Sequence, residues 1–155
     1  MPIDRDHIGR EYPSPTPFEV GREHVRSFAR AMGDTTPAYL DAEAARGLGH
    51  PDTVAPPTFL TVLGFRDAGS GPLADPGLGL DWSRVVHGEQ AFALSRPVVV
   101  GDVLHSVQRV ADVRTVGRNE VLVLVTSVTD ASGEPVAELT STLVSRGTAP
   151  PRARS

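Results

Sequence analysis

The sequence predicts an α+β domain in which helices cover one face of an antiparallel sheet. Three observations carry that prediction. Before residue 67, apolar residues recur at helical spacing. After residue 84 they fall in strand-like runs rich in Val and Leu. Those runs are joined by short turns rich in Gly, Asp and Asn, and short connections favour antiparallel neighbours. The chain has 155 residues, 39% hydrophobic and 22% charged, which suits one domain with a filled core.

A short extended stretch around Pro17–Val20 opens the fold. From Gly21 to Met32, Val25, Phe28, Ala29 and Met32 lie on one face of a helix. Gly33-Asp34 stops it. Thr36 then offers an N-cap with Pro37 in the first turn, and Asp41 offers a second cap before 42–46, with Gly47 as its terminator. A third helix is expected over Thr58–Asp67, ended by Gly69. Its Phe59, Leu60, Val62, Leu63 and Phe65 are apolar on more than one side, so it should be buried. Gly64 within it costs about 1 kcal/mol against Ala, which a close approach of two backbones would justify. Ser70–Leu80 is a Gly/Pro-rich loop. Four strands follow as a meander: Val85–Leu94, Val103–Val116, Glu120–Thr129 and Pro135–Arg146. In the second, Val103, Val107 and Val113 are expected to share a face. In the third, Val121–Val125 is apolar on both faces, as a central strand would be. Met1–Arg10 and Gly147–Ser155 read as loose ends, which gives a single domain over 8–147 with flexible tails at 1–7 and 148–155.

Composition removes several chemistries. There is no cysteine, which excludes a thiol nucleophile, thiolate zinc and disulfides. All fifteen basic residues are arginine, so a Schiff base and a phosphate-binding P-loop lysine are excluded. The net charge of −4 argues against nucleic acid. No run approaches 18 uncharged apolar residues, and the N-terminal segment has no apolar stretch of the secretory kind, so a cytoplasmic location is expected. No spacing of His, Asp and Glu suggests a metal site; His50 and His105 show no partner pattern.

Four segments, in order, carry a resemblance. Ala31-Met32-Gly33-Asp34-Thr35-Thr36-Pro37-Ala38-Tyr39 resembles the G-D-x-N-P-x-H signature of MaoC-like, R-specific enoyl hydratases. Ala55-Pro56-Pro57-Thr58-Phe59, His87-Gly88-Glu89-Gln90 and Arg96-Pro97-Val98-Val99-Val100-Gly101-Asp102 look like the MaoC dehydratase N-terminal domain family, to which non-catalytic subunits of (3R)-hydroxyacyl-ACP dehydratases belong. The resemblance covers roughly residues 8–147. It implies the hot-dog fold, an antiparallel sheet wrapped around a buried central helix. It also implies reversible dehydration of a 3-hydroxyacyl thioester, in fatty-acid or polyketide-type metabolism.

In active members, an Asp and a His act through one water molecule, as proton acceptor and donor, beside amide donors for the thioester oxygen. Asp34 matches that Asp, but Tyr39 stands at the His position, and a phenol with a pKa near 10 replaces imidazole poorly. Thr36 replaces the Asn. Pro56 and Pro57 occupy the neighbourhood of the amide donor, and proline has no N–H. The resemblance therefore implies a chain inactive alone, paired as a heterodimer with a second MaoC-like subunit that carries the intact motif.

The residues themselves leave alternatives open. Asp34 either caps a turn or takes part in chemistry. Tyr39 lines a pocket or fills core. His87 is a site residue or a structural strand histidine. Pro57, Thr58, Thr61 and Phe65 line an acyl tunnel or pack the interior. Arg66, Arg84, Arg96 and Arg118 meet the phosphate of a phosphopantetheine arm or an acidic carrier protein, or are solvated charges. No cofactor is expected, the substrate being carried on CoA or an acyl carrier protein. The alternatives are an acyl-thioester-binding homodimer, or a self-sufficient hydratase or thioesterase using Asp34 with His87.

Overall fold

A computed structural model of the chain describes residues 2–66 and 69–150; it does not describe the Phe65 side chain. Strands β1 (Glu11–Pro13) and β2 (Phe18–Glu19) lead into helices α1 (Arg22–Ala31), α2 (Pro37–Leu40), α3 (Ala42–Gly47) and α4 (Thr61–Arg66). Four long strands follow: β3 (Val85–Leu94), β4 (Val103–Val116), β5 (Asn119–Asp130) and β6 (Pro135–Ser145).

All six strands form one antiparallel sheet in the order β1-β4-β5-β6-β3, with β2 also on β4. The meander is therefore only partly right. β4, β5 and β6 follow one another, but β3 crosses to the far edge and pairs with β6, Gln90 opposite Ser141. The cause lies in the connection at 95–102. Val99 bridges Val54, Val98 carbonyl accepts from Ala55 N–H, and Thr53 carbonyl accepts from Val100 N–H. Those bonds hold the connection against the chain before α4 and away from the direct path between β3 and β4. Arg96 clamps the same connection, with two bonds to the Asp102 carboxylate at 2.8 and 3.0 Å.

The helices match their expected caps in part. Asp41 accepts from Glu43 N–H at 2.8 Å and starts α3. Thr36 makes no side-chain cap, and Asp34 accepts from Thr36 N–H in its place. Gly49, with φ of +90°, makes the left-handed turn expected of Gly47. Met32 is 63% exposed, so the apolar face of α1 is the shorter set Val25, Phe28 and Ala29. Regular helix in α4 begins at Thr61 and ends at Arg66. Residues 58–60, expected to be helical, lie in turns with bonds such as Phe59 N–H to Pro56 carbonyl. Asp67 falls outside the described residues. Phe59, Leu60 and Leu63 are fully buried, each worth about 1.5–3 kcal/mol of apolar burial.

On β4 the buried face is Leu104, Ser106, Gln108 and Val110, not Val103 and Val107. A bulge between Val110 and Asp112 then brings Val113 onto the buried side. Two large clusters fill the interior, beside a small one of Ala38, Ala45 and Val54. One joins α1, the chain before α4 and α4 itself to Leu104, Val128, Val136 and Leu139. The other joins Ile3 and Leu78 to Val110, Leu122, Leu124 and Leu143.

The N-terminal segment is not a tail. Ile3 and His7 are buried, Asp4 N–H reaches Leu78 carbonyl, and Gly9 N–H reaches Val110 carbonyl. Thr148 is buried as well; residues 151–155 lie outside the described set. The N-terminal segment adheres because the 71–80 segment forms two short 3-10 turns whose Leu78 needs a cover. No helix among the described residues is long and apolar enough to cross a membrane.

Candidate functional site

Two cavities lie beside the segment formed by α4 and the chain before it. The first, about 490 Å³, lies where α2 and the chain before α4 meet the end of β3. Tyr39 and Pro57, which the sequence offers as substrate contacts, line it together with Thr36 and Pro56. Its wall is mainly apolar, completed by Leu94, Pro97 and Val98. Pro56 and Pro57 both border it, and neither has an N–H to give. His50 also lines it, held in place by its N–H to Ala45 carbonyl at 3.1 Å. Sequence reasoning missed His50 because Tyr39, which shares the cavity with it, lies eleven positions earlier across an intervening helix.

Asp34 lines neither cavity. Its Oδ1 accepts from Thr36 N–H at 2.9 Å, and the Thr36 side-chain and backbone hydrogen bonds hold the carboxyl below its usual range. That is the capping arrangement weighed from the sequence. His87 lines the second cavity, so neither of these two cavities brings Asp34 and His87 together. Thr58 is exposed and lines neither; its carbonyl accepts from Thr61 Oγ1 at 2.8 Å. The Phe65 side chain lies outside the described residues.

The second cavity, about 380 Å³, lies between α4 and the sheet. Thr61 and Gly64 form its helical wall, and Leu124 and Leu143 its floor. A Cβ built on Gly64 would meet nothing within 4 Å, so no close backbone approach explains this glycine; it borders empty space. Trp82 and His87 also line the cavity, and both are largely exposed. His87 Nε2 lies 3.1 Å from Glu89 carbonyl, across the bulge where β3 shifts register. Gln90, Gln108 and Ser141 contribute polar side chains that sequence reasoning passed over. In β4 the pair Ser106/Gln108 reads as a solvent face, and only Leu104 and Val110 on either side signal otherwise.

Three of the four arginines considered for a phosphate are already engaged. Arg66 donates to the carbonyls of Thr16 and Pro17 and to the Thr16 hydroxyl. Arg84 pairs with Asp81 at 3.2 Å, and Arg96 pairs with Asp102 and Asp130. Arg118 is exposed, with its carbonyl accepting from Ala149 N–H.

This architecture, an antiparallel sheet packed on a short helix beside a modified acid–base motif, defines a MaoC-like hot-dog domain. Residues 6–139 match the family described as "FAS1-like, dehydratase domain region", and the chain belongs to that family. A UPF0336 protein of Parafrankia sp. (strain EAN1pec) is 58% identical over 98% of this chain and 100% of its own length. Another UPF0336 protein, from Saccharopolyspora erythraea, is 48% identical over 96% of this chain and 95% of its own. Among solved structures, the truncated HadBC (3R-hydroxyacyl-ACP dehydratase) complex of Mycobacterium tuberculosis is similar at 33% identity and a TM-score of 0.79, over 90% of this chain and 97% of that one. A MaoC-like dehydratase matches at 31% identity and a TM-score of 0.81, over 90% of this chain but 42% of its own length.

Proposed function

We propose that this chain is the non-catalytic subunit of a heteromeric (3R)-3-hydroxyacyl thioester dehydratase, whose partner is a second hot-dog subunit bearing an intact Asp/His pair. The observation that carries the reading is the first cavity: it is preserved as a space of substrate size, yet holds a phenol and two prolines where the reaction needs an imidazole and an amide donor. Asp34, the remaining member of the motif, is occupied by Thr36.

In the reaction, a base removes the proton from C2 as the C3–O bond breaks. The hydroxyl leaves as water with a proton from the acid, and the C2–C3 double bond forms. The partner supplies both proton-transfer groups. This chain supplies a wall of the acyl compartment, with Tyr39 and Pro57 beside the thioester end and the second cavity for the chain beyond. The substrate arrives on CoA or on the phosphopantetheine of a carrier protein, and no other cofactor is needed. The similarity to the HadBC complex supports a two-subunit assembly. The free edge of β3 supports it too. That strand is ten residues long and, among the described residues, pairs only with β6; a long unpaired edge is a template for another sheet.

The test is an enoyl-thioester hydration assay on the purified chain, alone and mixed with a chain that contains G-D-x-N-P-x-H. Activity is expected only in the mixture and unchanged by Asp34→Ala in this chain. Robust turnover by this chain alone overturns the reading. His50 favours one second reading, a self-sufficient hydro-lyase with that imidazole as base; activity alone that disappears in His50→Ala would establish it. Failure of the two chains to co-purify favours an acyl-binding homodimer.

A further inference from the structure

The first cavity is poor in backbone donors. Pro56 and Pro57 border it without an N–H. The N–H groups of Tyr39, Leu48, His50, Val54 and Ala55, which also line it, are committed to carbonyls. An acceptor oxygen inside therefore looks to side chains. Five lining residues carry side-chain donors: Thr36, Tyr39, His50, Ser95 and Arg96.

Three of the five are engaged elsewhere. The Thr36 hydroxyl bonds to the Asp34 carboxylate. The Arg96 terminal N–H groups go to Asp102, to Asp130 and to the Pro97 carbonyl. Ser95 is exposed to water. Tyr39 and His50 remain. Both are half-buried, and neither the Tyr39 hydroxyl nor the His50 ring bonds to a described residue. They also share a support. Tyr39 packs on Ala38, Ala45 and Val54, and His50 N–H bonds to the Ala45 carbonyl at 3.1 Å. Ala45 itself is fully buried.

The charge nearby selects among acceptors. The Arg96 guanidinium faces two carboxylates, Asp102 and Asp130, so its surroundings carry an excess of negative charge. That favours a neutral carbonyl over a carboxylate or a phosphate. Leu94, Pro97 and Val98 suit the apolar atoms on either side of such a carbonyl.

We propose that the Tyr39 hydroxyl and the His50 ring N–H hold the thioester carbonyl oxygen of the acyl substrate, in place of the amide donor that the prolines remove. This rests on the acyl-thioester reading above and assigns it two carbonyl-binding side chains.

The experiment titrates the full chain, by calorimetry, with the octanoyl thioester of N-acetylcysteamine and with the matching octyl thioether, in which a methylene replaces the carbonyl. Both are saturated, so neither can be hydrated or dehydrated. The thioester is expected to bind about tenfold tighter, the ratio that two modest hydrogen bonds support. Tyr39→Phe and His50→Leu are each expected to lower the ratio to about threefold, and the double variant to erase it, with thioether binding unchanged. Tyr39→Phe keeps the ring on its alanine support, so it carries the test if the leucine variant does not fold. Equal binding of the two compounds by the unaltered chain overturns the proposal, since water then serves both donors as well. Absence of binding by either compound overturns it too, as does a ratio untouched by Tyr39→Phe. The binding arm needs no partner subunit. A thioester preference lost in the variants, beside an inactive subunit mixture, sinks the dehydratase reading and keeps the two donors. An active mixture without the preference sinks the donors alone.

Discussion

Tyr12 and Asp75 show how single side chains set the limits of the fold. Burial first, and then the bond from its hydroxyl to Asp75 Oδ2 at 2.9 Å, push the Tyr12 phenol up to about 12. The same bond, with Gly77 N–H, holds the Asp75 carboxyl below its usual range. A raised pKa in the folded chain contributes stability that is present below the unfolded value near 10 and lost as pH rises toward 12. A Tyr39→Phe variant, with one tyrosine left, is expected to show no phenolate absorbance near pH 10 while folded; ionisation there would contradict the bond. On the acid side the sign reverses. Asp34, Asp52, Asp75, Asp81 and Asp130 are all held low by hydrogen bonds, so their contribution is full above the usual Asp value near 4 and lost as pH falls below it. Thermal midpoints measured against pH should fall below about 4, and fall less steeply in Asp75→Asn. Arg96→Ala opens the clamp on the crossing connection and is expected to cost about 1–2 kcal/mol, read from the urea midpoint.

Helix α4 and the strands differ in how openly the chain announces them. The bounds of β3 and β4 follow from their alternation and from the Gly-containing turns beside them, and those of β5 and β6 nearly so. β1 did not announce itself: three residues ending in Pro13 have no pattern of their own, and only pairing with β4 makes them a strand. The place of β3 was hidden for another reason. Local sequence sets that a strand forms, but the Val54–Val99 bridge, between distant residues, sets which edge it joins. The site divides in the same way. Tyr39 and Pro57 were legible because a contiguous motif carries them. Gln108 was not, because an isolated polar residue in a strand reads as solvent-facing until the partner strands are known. In α4, Gly64 faces space rather than backbone. Gly64→Ala is therefore expected to stabilise the chain by about 0.5–1 kcal/mol and to weaken fatty-acid uptake in the second cavity. A lower urea midpoint in that variant would show the space is not free.

For the whole molecule, the two edges of the sheet are unequal. At one end β1 and β2 are short, and Pro13, Pro15 and Pro17 punctuate the chain that forms them. At the other end β3 offers ten residues with one side unpaired, and Val86 on it is exposed. Val86→Glu is expected to leave the isolated chain folded, by circular dichroism and melting, while abolishing co-purification with the partner subunit; an intact complex would place the interface elsewhere. The inequality has a further consequence. Proline cannot donate to a neighbouring strand, so among the described strands the β1 side behaves as a stopper and the β3 side as the live end. If the proposed partner joins through β3, that end is consumed and growth halts at a closed pair, so a protein rich in valine strands would avoid becoming a fibre without a charged gatekeeper on every edge.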